Sequence, residues 1–133
     1  MVKKIFVAHA NPDFKLPEGF SAFTYCGSDE HKEAIIAGIL ANQYTKVAEL
    51  EVDSDDVDDA LELAFDHTNH VFFNNLSWLD GDKVTMRCVD SARSTSIGDI
   101  VCCDGKMFVV AKFGYHELDL CGYIEKKYNI KCK

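Results

Sequence analysis

Residues Arg93 to Leu118 read RSTSIGDIVCCDGKMFVVAKFGYHEL, and this stretch decides the fold. Asp104-Gly105 separates two apolar runs. A two-residue type I′ turn needs positive φ at both central positions, which Gly accepts freely and Asp better than most residues. A turn that tight pairs Cys103 with Lys106, Cys102 with Met107, Val101 with Phe108 and Ile100 with Val109. Both faces of the ribbon are apolar, which predicts a central element covered on two sides. Just upstream, Ser94 to Asp99 is turn chemistry, with hydroxyls able to bond nearby amides and a Gly free to reverse the chain.

Working outward, Val2 to Ala8 (VKKIFVA) is rich in β-branched and aromatic residues and reads as a strand. Pro12, Pro17 and Gly19 punctuate an extended connection from Asn11 to Gly27, in which Phe20, Phe23 and Tyr25 read as a short strand. Ser28 has the character of an N-cap, and Asp29 and Glu30 favour a helix N-terminus by charge. Ile35, Ile36, Ile39 and Leu40 recur at helical spacing, so Asp29 to Gln43 is a predicted helix, with Gly38 marking a close helix–sheet contact. Tyr44 to Val52 alternates like a strand with one wet face. Beyond an Asp53 or Ser54 cap, Val57, Ala60, Leu61, Ala64 and Phe65 form a complete amphipathic stripe. His67 to Gly81 reads as an ordered loop pinned by aromatics, Lys83 to Val89 as a strand, and Glu117 to Tyr128 as a closing helix with Leu120, Tyr123, Ile124 and Tyr128 inward. The order predicts a single α+β domain over residues 1–133, a mostly antiparallel sheet with two or three helices packed on one side of it.

Composition narrows the function classes. The chain has 133 residues, enough for one core without staples, and no apolar run long enough to span a bilayer. Polar His9, Asn11 and Asp13 interrupt the apolar start before it resembles a signal peptide, so the expected compartment is the cytoplasm. Six cysteines, several alternating with Val, Met and Phe, are then expected to be buried and reduced. The net charge is −8, and no Lys or Arg lies between Lys46 and Lys83. That interval carries Glu49, Glu51, Asp53, Asp55, Asp56, Asp58, Asp59, Glu62, Asp66, Asp80 and Asp82, a field that repels phosphate backbones.

No arrangement of residues points to catalysis. His67-x-x-His70 has metal-like spacing, and Cys88, Cys102 or Cys103 could complete a zinc site, but no Cys-x-x-Cys supports it. Cys26 with His31, or Cys121 with His116, is a formal nucleophile pair. Asp29 and Glu30 would raise the Cys26 pKa rather than lower it. The carboxylates sit on a solvated helix face, and neither a Gly-rich phosphate loop nor a nucleophile elbow is present. Neither a cofactor nor a metal is expected. Arg87, Arg93, Lys106 and Lys112, with Phe108, Phe113 and Tyr115, could form a small nucleic-acid surface, against the plainer reading of core aromatics and edge charges.

VAELEVDSDDVDDALELAFDHTNH, SWLDGDKV and the Arg93–Leu118 stretch together resemble a family of small uncharacterised proteins from tailed phages and other bacterial mobile elements. The resemblance covers about Val47 to Leu118. Its parts are an acidic helix ending near Thr-Asn, a Ser-Trp loop, an Arg-Ser-x-Ser-x-Gly-Asp turn, a hairpin and a Phe-Gly-aromatic close. The Cys102-Cys103 pair and the Asn-rich Val71–Asn75 segment depart from it. The resemblance implies a phage-type accessory role without a reaction, in which the chain binds and modulates a host or defence protein. The expected contact residues are Asp55, Asp58, Asp59 and Glu62 on the acidic helix, with Phe72, Phe73 and Trp78 as aromatic anchors. One alternative is an acidic DNA mimic occupying a DNA-binding protein. The other is a nucleic-acid module using the C-terminal strands.

Overall fold

The computed structural model describes residues 1–69, 77–129 and 131. Strands β1 (Val2–Ala10), β2 (Tyr44–Asp53), β3 (Val84–Arg87), β4 (Ile100–Cys103), β5 (Lys106–Val110) and β6 (Tyr115–Leu118) form one antiparallel sheet in the order β3-β2-β1-β4-β5-β6. Helices α1 (Asp29–Leu40), α2 (Val57–Asp66) and α3 (Leu120–Tyr128) complete an α+β architecture. Single 3₁₀ turns occupy Ala22–Thr24 and Trp78–Asp80.

The β4–β5 hairpin has the register that its turn dictates, Cys103 opposite Lys106 through Ile100 opposite Val109. Asp104 and Gly105 both have positive φ, as a type I′ turn requires. Its two faces are both covered. Val101, Cys103, Phe108 and Val110 join the core under α2, with Ala60, Leu61, Ala64 and Trp78. Ile100, Cys102 and Val109 join a second core under α1, with Ile35, Ile36, Phe14 and Leu16. The helices therefore pack on both faces of the sheet, not on one as expected. A doubly apolar hairpin at its centre demands that arrangement, since a wet face would leave Ile100, Cys102 and Val109 in water.

Local differences have local causes. A bulge in β2 leaves Val47 without a partner in β1, so Val47 and Ala48 both reach the core where strict alternation would expose one of them. The connection 11–27 holds no strand. It makes one bridge, Lys15 to Ser21, and buries Phe14, Leu16, Ala22 and Tyr25 instead. Gly38 admits the ring of Phe14 from that connection, so the closest neighbour is a loop side chain where a helix–sheet contact was expected. Ser28 caps α1 by accepting from the His31 amide, whereas α2 starts at an Asp56 cap whose side chain makes no cap bond. Ser54 lies two residues earlier and closes a local loop through its hydroxyl with the Asp56 backbone. Residues 117 and 118 pair with Phe108 and Met107 as part of β6, which delays α3 to Leu120. The helix α3 only leans on the core, and Tyr128 is exposed.

Candidate functional site

The residues that carry the resemblance meet at one buried corner. Asp99 is 1 % exposed and accepts from the Ala10 amide at 2.9 Å, the Ser96 amide at 2.8 Å and both terminal nitrogens of Arg93. The Trp78 indole N–H donates to the Arg93 carbonyl at 2.8 Å, and the Thr95 amide donates to the Thr68 carbonyl at 2.9 Å. His9 shares a 2.8 Å hydrogen bond with the Thr95 hydroxyl and stands 4.0 Å from Asp99. Burial holds the His9 ring well below its ordinary 6.5, at about 4, against the pull of Asp99, so it is neutral at pH 7. The Arg-Ser-x-Ser-x-Gly-Asp turn is thus a clamp. It fastens the end of α2, the Ser-Trp loop and β1 to the root of the hairpin, with its polar groups satisfied internally.

That clamp settles where the expected anchors stand. Trp78 is fully buried, at 0 % exposure, so it is a core residue and not an interface anchor. Its indole finds a backbone acceptor only inside the fold, and the apolar ring packs with Leu61 and Ala64. Phe72 and Phe73 lie outside the described residues, as does His70. On α2, Asp58, Asp59 and Glu62 are exposed opposite the buried Ala60, Leu61 and Ala64, as the periodicity requires. Asp55 precedes the helix and is bonded by the Met1 ammonium at 2.9 Å.

The formal chemical sites do not assemble as pairs. His31 accepts the Cys26 amide at Nδ1 and donates from Nε2 to Glu18 at 2.8 Å, so both ring nitrogens are committed away from the Cys26 thiol. His116 Nδ1 is engaged by the Tyr25 hydroxyl at 2.7 Å. Cys121 is disulfide-bonded, which corrects the expectation of six reduced thiols and removes it as a nucleophile. Cys26 and Cys88 are free but exposed, whereas Cys102 and Cys103 are free and buried as expected. Among the described residues no three or more His, Cys, Asp or Glu side chains are grouped to hold a metal ion. The proposed basic surface comes together only in part, with Arg93, Lys112 and Phe113 lining two adjoining hollows. Arg87 is bonded to Asp80 and the Asp90 carbonyl, Arg93 to Asp99, and Phe108 is buried.

A different site emerges where the 11–27 connection passes the clamp. Gly98 has positive φ, and a Cβ there would run into the Ala22 carbonyl, so the 96–99 turn sits directly on the Ala22–Thr24 turn. Ala22 and Tyr25 point inward, which forces Phe23 outward to 61 % exposure. Across from it, the β5–β6 turn holds Phe113 at 84 % exposure with the Lys112 ammonium 5.7 Å from its ring centre. Between them is an open hollow of about 570 Å³, floored by Ile97, Ala111 and the Tyr25–His116 pair. Burial pushes the Tyr25 phenol up to about 12, so it is protonated at neutral pH. A second hollow of about 420 Å³ adjoins the first, sharing Phe23 and Ile97 and reaching Arg93, Ser96 and Asn11.

The charge of this groove is opposite in character to that of the chain. The residues that line its two hollows include two cations, Arg93 and Lys112. The single carboxylate lining it is Asp99, buried and bridged by Arg93. Sequence patterning finds this site only in part: Arg93, Lys112 and Phe113 belong to the nucleic-acid surface weighed above, whereas Phe23 reads as part of a short strand until the turn that exposes it is known. Only the fold brings these residues together. No family model, no curated protein and no solved structure matches this chain.

Proposed function

We propose that the chain is a non-enzymatic binding protein, of the accessory kind that its phage-like sequence implies, and that it docks a bacterial host or defence protein in the groove between Phe23 and Phe113. One observation carries this reading. Two large aromatic rings stand in solvent on either side of an apolar hollow whose lining carries Lys112 and no carboxylate, in a chain of net charge −8. Exposed aromatics around a concave apolar surface are the usual anchors of protein interfaces, and a nearby unshared charge sets orientation. The acidic helix then serves as the steering surface and not as the anchor, since its expected aromatic Trp78 is inside the fold.

The test is capture from bacterial lysate by the wild-type chain and by the Phe23→Ala/Phe113→Ala variant. Both rings are exposed, so the variant folds, and circular dichroism verifies it. A partner retained by the wild type and lost by the variant supports the groove. A partner retained equally by both contradicts it. The exposed row Asp58, Asp59 and Glu62 favours one second reading, a DNA mimic. That reading requires the captured partner to bind DNA, and duplex DNA to compete with the chain for it.

A further inference from the structure

We infer that the groove takes an extended, carboxylate-bearing peptide segment of its partner, with two apolar side chains in the two hollows and one carboxylate against Lys112. This rests on the reading of the groove as the docking surface and adds the chemistry of the occupant.

Shape argues for an extended segment. The hollows of about 570 and 420 Å³ lie side by side and share Phe23 and Ile97 as the saddle between them. A compact ligand would fill one and leave the other wet. An extended chain presents same-side residues about 6.6 Å apart, and so offers adjacent sockets alternate side chains.

Charge argues for a carboxylate. Lys112 stands over the Phe113 ring, 5.7 Å from its centre, and forms no ion pair with a carboxylate among the described residues. A basic segment would meet that ammonium and find one lining carboxylate, Asp99, already bridged by Arg93. Single-stranded nucleic acid would find aromatic platforms, but it also needs a row of cations. Here Arg93 spends both terminal nitrogens on Asp99, which leaves Lys112 as the only unpaired cation in the lining of the two hollows. One ammonium beside an apolar trough suits one carboxylate beside apolar side chains.

The experiment selects from a displayed library of random linear peptides on the immobilised full chain, followed by affinity measurement of a synthesised winner. Enriched sequences should carry Asp or Glu with two apolar residues at alternate positions. Lys112→Glu should weaken the winner at least about tenfold, as should Phe23→Ala, whereas Asp58→Lys/Asp59→Lys should change it less than about twofold. A basic consensus, winners indifferent to Lys112→Glu, or displacement of the winner by a single-stranded oligonucleotide overturns the inference. So does the absence of any enriched peptide. In that last case the groove reading is judged separately: a folded partner still lost by the Phe23→Ala/Phe113→Ala variant leaves that reading standing and removes only the peptide.

Discussion

The two faces of the sheet are sealed by different means. Under α2 the seal is a regular helix whose Ala60, Leu61 and Ala64 lie against Val101 and Leu50, with Trp78 closing the end. On the other face α1 covers only part of the strands, and the 11–27 connection covers the rest. An irregular segment cannot present a continuous apolar stripe, so it alternates buried Phe14, Leu16, Ala22 and Tyr25 with exposed Phe20 and Phe23. It is held by polar ties: His31 to Glu18, Tyr25 to His116, and the backbone bridge at Lys15 and Ser21. A helix seal leaves a smooth surface, and a loop seal leaves hollows. The groove between Phe23 and Phe113 is a consequence of the second.

The contrast predicts unequal effects of mutation. Trp78→Ala removes the largest fully buried side chain and should cost about 3–5 kcal/mol in urea unfolding. A loss under about 1 kcal/mol would mean that the α2 face is not a tight seal. Asp99→Ala leaves Arg93 and two amides without their acceptor and should cost about 3 kcal/mol or slightly more, with the clamp between the two faces opened. Arg93→Ala should be of comparable size, because it strands a buried carboxylate.

Acid provides a third, graded test of the clamp. The His9 pKa is depressed in the folded chain, so the unfolded chain takes up the proton first. The stability associated with neutral His9 is complete above about pH 6.5 and is lost as pH falls toward about 4, by roughly 3 kcal/mol at most. Unfolding midpoints across that window should fall less steeply in His9→Gln. Equal slopes would mean that His9 is not the group responsible. The smallest effects belong to the groove: Phe23→Ala and Phe113→Ala should each shift stability by no more than about 0.5 kcal/mol, since both rings already stand in water. A larger loss at either would make that ring part of the loop seal and not of a binding surface.

The same contrast separates what the sequence discloses from what it conceals. Val57 to Phe65 announces its buried stripe by period, and Asp104-Gly105 announces its turn by residue type, because both are governed by neighbours within a few positions. Trp78 is misread as an anchor because its hydrogen-bond acceptor is 15 residues away, on a carbonyl that nothing local identifies. Arg93 shows its charge but not that Asp99, at the end of its own turn, consumes it. Phe20 and Phe23 resemble a strand alternation. Only the seat of Ala22 beneath Gly98 reveals which rings are left outside. The groove combines three segments distant in sequence, so each is unremarkable until the sheet order is known.

We propose that the partner sits in the groove between Phe23 and Phe113 and not on the acidic helix. Amide hydrogen exchange of the chain, free and saturated with its captured partner, tests it directly. New protection is expected at residues 22–26, 96–98 and 111–116, with α2 unchanged. Protection confined to residues 57–66, with the groove segments unchanged, would contradict it.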